Sequence, residues 1–121
     1  MITPLAMHHV AERELSKAHP FHQSHARSIR EKVKKWKTFF GCSPVVAADI
    51  WNRVVAKGVM NRYPNAQPYH LLYALLLAMK YATDNVHAQM VGCHVDTFRL
   101  WAWRLMQEVH DLHVDVVSDY N

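Results

Sequence analysis

Two groups of residues in this 121-residue chain have the types and spacing to act on a polyanion. The first is a run of cations, Arg27, Arg30, Lys32, Lys34, Lys35 and Lys37, opposed only by Glu31, for +5 over residues 27–37. Residues 1–26 balance Arg13 and Lys17 against Glu12 and Glu14, and residues 38–121 carry six basic and seven acidic groups. The excess charge therefore sits in one short segment. Such a segment binds a phosphate backbone by releasing its condensed counterions; it also reads as a solvated basic linker. The second group is Thr97, Arg99 and Arg104. An arginine fork can pair with guanine or phosphate, and a threonine hydroxyl with either kind of edge. Arg104 could equally form an i, i+4 pair with Glu108. The DNA contacts expected from sequence are thus Arg30, Lys32, Lys34, Lys35 and Lys37 on phosphates, with Thr97, Arg99 and Arg104 at base edges or phosphates.

Other constellations are weaker. Cys42, His87, Cys93 and His94 make one imaginable tetrahedral set. No CxxC spacing supports it, and adjacent Cys93 and His94 rarely both reach one metal. The two cysteines read better as small buried apolar residues. His8, His9, His19, His22 and His25 follow no ligand spacing. Asp111, Asp115 and Asp119 are close but four apart, with no sheet to hold them as metal ligands, and read as solvated acids. No nucleophile–base pair and no phosphate-binding glycine loop is visible. The chain is expected to have no catalytic residue, no metal and no cofactor.

Composition bounds the scaffold that must position these residues. Half the residues are hydrophobic and 20% are charged, which argues against disorder; three glycines and five prolines are too few for an all-β protein. Two cysteines make no disulfide framework. The N-terminus has no basic and apolar leader pattern, and the longest apolar run, Leu71 to Met79, is far short of the ~20 residues that span a bilayer. The expectation is a soluble intracellular protein with no membrane partner. Arg30 to Lys35 resembles a loose nuclear localisation signal, so the nucleus is expected, with the cytoplasm as the alternative.

The fold expected is all-α, a small helical bundle containing a helix-turn-helix. Residues 1–26 read as a polar, flexible N-terminal arm. Within it a helix over 4–18 starts at Pro4, carries a weak stripe (Leu5, His8, His9, Glu12, Leu15, Lys17) and stops at His19-Pro20. A helical domain over 27–117 follows. Ile29, Val33 and Trp36 put one face of the basic segment on the body, which Phe39-Phe40 ties down. Ser43 caps the next helix, with Pro44 in its first turn and Val46, Ile50, Trp51, Val54 and Val55 as its apolar face. Residues 58–68 read as a loop. Pro68 starts a helix through Ala82 that is apolar nearly all round, and so central.

Thr83 would cap a short helix that Gly92 ends, since glycine accepts the left-handed turn. Ala88 fits where two helices cross closely. Phe98 and Trp101 share one face of the last helix, with Ala102, Leu105, Val109 and Leu112, while Thr97, Arg99, Trp103, Arg104 and Gln107 lie on the other. Small residue, glycine, then paired apolar residues is the helix-turn-helix pattern, here over about 83–105. It also fits a plain helical hairpin. The Val114, Val116 alternation predicts an extended segment leaving the bundle, and 118–121 a tail.

Several short motifs then stand in one order: Phe39-Phe40-Gly41-Cys42-Ser43-Pro44, Trp51-Asn52, His70-Leu71-Leu72-Tyr73-Ala74-Leu75-Leu76, Lys80-Tyr81-Ala82-Thr83, and Gly92 with Asp96-Thr97-Phe98-Arg99-Leu100-Trp101. Over roughly residues 36–117 they resemble the helical N-terminal region of Harbinger-type, DDE-superfamily transposases and the nucleases derived from them. The resemblance implies a helical module ahead of an RNase H-like domain that holds two metal ions with three acidic residues. This chain ends at Asn121, about where that domain would begin, and none of the three acids carries over. The expectation is a non-enzymatic DNA-binding module of a transposable element-derived protein. Double-stranded DNA would be its partner, and a nuclease domain, a partner protein or a second copy the alternative. Thr97, Arg99 and Arg104 carry over as candidate contacts, and Phe98, Trp101 and Leu105 as core.

Overall fold

Two helices begin where a hydroxyl precedes proline. Thr3 Oγ1 accepts the Ala6 N–H at 3.1 Å and Ser43 Oγ accepts the Val46 N–H at 3.3 Å, while Pro4 and Pro44 occupy first-turn positions that need no donor. The computed structural model describes residues 1–15, 29–79 and 84–119, and every regular element among them is an α-helix. In order these are α1 (Pro4–Glu14), α2 (Ile29–Phe40), α3 (Pro44–Ala56), α4 (Val59–Arg62), α5 (Pro68–Met79), α6 (Asp84–Val91) and α7 (Val95–Asp119). The His19-Pro20 stop, the His22 and His25 positions, Arg27 and the Thr83 cap lie outside the described residues, as do the last two residues of the expected tail.

The centre is α5, packed against α1, α2, α3, α6 and most extensively α7. Its sequence explains this position. Leu71, Leu72, Ala74 and Leu76 are buried together with His70 and Tyr73, so little of its surface suits water. Around it, Trp36, Phe40, Trp51, Val54, Phe98, Ala102 and Leu105 complete one continuous core with Met7 and Val10.

Residues 1–26 were expected to form a polar arm; residues 16–26 lie outside the described residues, but α1 joins the core. Met7, Val10, Ala11 and Leu15 recur at i, i+3, i+4 and i+8, one helical face, and all are buried. Of the expected stripe Leu15 is buried, but Leu5 is 66% exposed, and the face is carried by Met7, Val10 and Ala11 instead. The helix ends at Glu14, ahead of the expected boundary at residue 18. Burying the larger three of these side chains contributes about 1.5–3 kcal/mol each, enough to dock the helix. An amide clamp adds direction: Ile2 N–H donates to Asn52 Oδ1 at 2.9 Å, and Asn52 Nδ2 donates back to the Ile2 carbonyl at 3.0 Å.

Three further differences concern α3, the loop and α7. The buried face of α3 is Pro44, Ala47, Ala48, Trp51 and Val54, while Val45, Val46 and Val55 are exposed. The expected loop over 58–68 contains α4, with Val59 and Ala66 buried. The last helix continues through Asp119, where an extended segment and a tail were expected. No glycine or proline follows Gly92 in the chain to interrupt it.

Candidate nucleic-acid interface

The connection from α6 to α7 is built by backbone hydrogen bonds. Cys93 N–H donates to the Ala88 carbonyl at 3.0 Å and Gly92 N–H to the Gln89 carbonyl at 3.3 Å, with Gly92 at φ +70°. That is the paired bonding of a Schellman motif, which needs a left-handed residue after the helix. His94 starts the next helix: its Nδ1 accepts the Asp96 N–H at 3.2 Å and its carbonyl accepts the Phe98 N–H at 2.9 Å. Ala88 is buried as the close crossing requires, and Phe98 is buried against the rings of Tyr73 and His87 at 5.3 and 5.4 Å.

The outer face of α7 carries the expected contacts, divided between two hollows. Arg99 and Arg104 line one open groove with Tyr63, Asp96, Leu100, Trp103 and Gln107. Thr97, one step round the helix, lines a second hollow with Tyr69, His70, Tyr73, Cys93 and Trp101. Arg99 Nη1 lies 3.7 Å from Asp96 Oδ1. The guanidinium of Arg104 sits over the rings of Tyr63 and Trp101, 4.7 and 4.9 Å from their centroids. It does not take Glu108. That carboxylate, 6% exposed, binds the Arg62 fork at 2.7 and 2.5 Å, and Arg62 also donates to the Lys57 carbonyl at 3.1 Å.

Beneath Arg104, Trp101 stacks face to face on His70, with centroids 3.8 Å apart and planes 1° from parallel. His70 Nδ1 accepts the Gln67 N–H at 2.9 Å at the start of α5. Burial, then the nearby charge of Arg104, lowers the His70 pKa to about 4, so the imidazole is neutral at ordinary pH. The layers His70, Trp101 and Arg104 thus carry one charge, on the outermost group.

The basic segment occupies another part of the molecule. In α2, Arg30, Lys34 and Lys37 are exposed and Lys35 is half-buried; the side chain of Lys32 lies outside the described residues. Trp36 and Phe40, ring centroids 4.5 Å apart, bury the opposite face, and Trp36 Nε1–H donates to His8 Nδ1 at 2.9 Å. The end of α2 meets the end of α5: a Cβ on Gly41 would stand 2.5 Å from Met79 Sδ, a flexible side-chain end that can move aside, and it is the φ of +76° at Gly41 that favours glycine. Trp101 and Arg104 are stacked at His70, nine residues earlier on α5. At helical rise that is about 14 Å along the axis. The cations expected from sequence lie on two helices, α2 and α7, which are not among the helix pairs in extensive contact.

Sequence reasoning missed Tyr63, which was taken only as part of a turn; an aromatic ring beside Pro64 was its one local signal. Among the described residues no group of three or more His, Cys, Asp or Glu is placed to hold a metal ion. Cys42 and Cys93 are half-buried free thiols, and burial raises the pKa of both, as it does that of the Tyr73 phenol. None of the three is an activated nucleophile at neutral pH. No helix among the described residues is long and apolar enough to cross a membrane. Comparison with protein-family models, with curated proteins and with solved structures gave no match.

Proposed function

We propose that this chain is a DNA-binding helical module, with α6, the Gly92 turn and α7 serving as a helix-turn-helix. The observation that carries the reading is the open face of α7 directly after that turn, where Arg99 and Arg104 line one groove beside Gln107. In a helix-turn-helix the second helix enters the major groove with its first turns against base edges. Arg99 falls in that position, and Arg104 lies further along to meet phosphate. The exposed cations of α2 would hold a second stretch of backbone without reading sequence. The ordered motifs over residues 36–117 that resemble Harbinger-type transposases support the same role, and the nucleus as its place. In that role the chain targets DNA and catalyses nothing itself.

A titration of the protein against duplex DNA at low and at near-physiological salt tests the proposal. Affinity should fall steeply with salt, with a log–log slope near −0.9 per phosphate contact. Replacing Lys32, Lys34, Lys35 and Lys37 by alanine should flatten that slope by up to about three to four and weaken all sequences alike. Arg99→Ala should alter preference among sequences instead. Absence of binding at low salt, or binding indifferent to salt, would refute the reading.

A second reading rests on a specific observation: Leu100 and Trp103 are 48% and 59% exposed on the same face of α7. A protein contact, with a nuclease domain or a second copy, would cover them. Concentration-dependent self-association that Trp103→Ala abolishes would favour it.

A further inference from the structure

Trp103 stands at the middle of the outer face of α7, one turn beyond Arg99 and one turn before Gln107. Residues four apart share a helix face, so these three form a stripe along the groove that Arg104 and Tyr63 also line. The opposite face of α7 already fills the core with Phe98, Ala102 and Leu105, and Trp103 takes no part in that packing. A reader of intact duplex has little use for an indole here. Base edges in the major groove are met by Arg, Asn, Gln or Thr, and thymine methyls by small apolar groups, while the flat faces of paired bases are covered by their neighbours. An exposed indole needs a ring face to cover it. An unpaired base offers one, and cations beside the indole then meet the flanking phosphates.

Charge on the groove favours the same occupant. Among the residues that line the groove, Arg99 and Arg104 stand against the single acid Asp96, so the lining is net positive. The Arg104 guanidinium is already fixed over two rings and so is ordered before anything binds. Resting on the DNA reading above, we infer that Trp103 stacks on an unpaired base at a duplex end or junction, with Arg104 on a flanking phosphate and Arg99 toward the adjoining base pairs. The substrate class is then duplex DNA carrying a short single-stranded segment.

Fluorescence anisotropy with three labelled oligonucleotides tests this: a blunt duplex, the same duplex with a short adenine tail, and the tail strand alone. The native chain should bind the tailed duplex about tenfold more tightly than the blunt one, the scale of one stacked base. Trp103→Ala should remove that preference, bringing affinity for the tailed duplex down to that for the blunt one, while Trp103→Phe, which keeps a ring, should retain most of it. Equal affinity of the native chain for blunt and tailed duplex would overturn the inference while leaving the DNA-binding role intact. So would an equal loss on both in Trp103→Ala, or a Trp103-dependent dimer whose DNA affinities do not change. Failure to bind any of the three would overturn both.

Discussion

Acidification from about pH 7 to pH 5 should remove roughly 2 kcal/mol of folding stability through His70 alone. The ring is 4% exposed, stacked on Trp101 and close to the Arg104 charge, and its Nδ1 accepts a backbone N–H. Burial, the Arg104 charge and the accepted N–H favour the neutral form. The folded pKa of about 4 stands below the ordinary value of 6.5, so the unfolded chain binds the proton first. Stability from this group is therefore present above about pH 6.5 and is lost as the pH falls toward 4, the unfolded state taking up more protons throughout that window. Linkage across that gap gives about 3 kcal/mol at most, with about 2 kcal/mol of it gone by pH 5.

The clean comparison is His70→Gln. Residue 70 is the third residue of α5, where a glutamine side chain can accept the Gln67 N–H just as the imidazole does. Glutamine does not titrate. It also loses the stack on Trp101, so the variant starts less stable at neutral pH, by roughly 1 kcal/mol. Urea unfolding followed by far-ultraviolet circular dichroism at the two pH values yields the change for each protein. The other nine histidines, present in both chains, cancel in the difference. The native chain should lose about 2 kcal/mol more than His70→Gln. Equal losses in the two would show that His70 is protonated as easily in the fold as out of it, and the account of its burial would fail.

Two further outcomes follow from single contacts. A Cβ at Gly92 would meet nothing within 4 Å, so Gly92→Ala should cost only the left-handed backbone, about 1–2 kcal/mol in thermal or urea unfolding, and Gly92→Asn distinctly less. Equal costs for Ala and Asn would mean that φ at this turn is not what glycine supplies. His8→Phe removes the acceptor of the Trp36 Nε1–H bond while keeping a ring, and should cost about 1–3 kcal/mol by the same measurement. A change below a few tenths would separate α1 from the anchoring of the basic helix.

What was legible in the sequence was what local chemistry decides. Ser43-Pro44 marks a helix start because cap and first turn are neighbours in sequence, and α5 announces its burial by being apolar on nearly every side. Gly92 was readable because only a turn needs it. The misses have one common cause: a helix face is chosen by its partner. In α3 Ala47 and Ala48 are buried while Val45, Val46 and Val55 are left outside, although valine is the more hydrophobic residue. Small side chains let helices approach closely, and that gain depends on neighbours far away in the chain. In α1 the buried face was hidden because histidines interrupt it and two of its members, Ala11 and Met7, carry weak pattern signals.

The same logic separates the two arginines of the candidate interface, which sequence treated alike. Tyr63 lies 41 residues from Arg104, so no local pattern could show that this guanidinium would rest on two rings. A side chain held in this way loses less rotamer freedom when it takes a phosphate. Arg99, in contrast, lies 3.7 Å from Asp96 on an exposed turn, and in the proposed DNA complex its fork would have to leave that carboxylate to reach a base. Arg104 is thereby suited to steady affinity. On the proposed reading Arg99 would suit discrimination, because only a well-placed acceptor offsets the loss of the Asp96 contact.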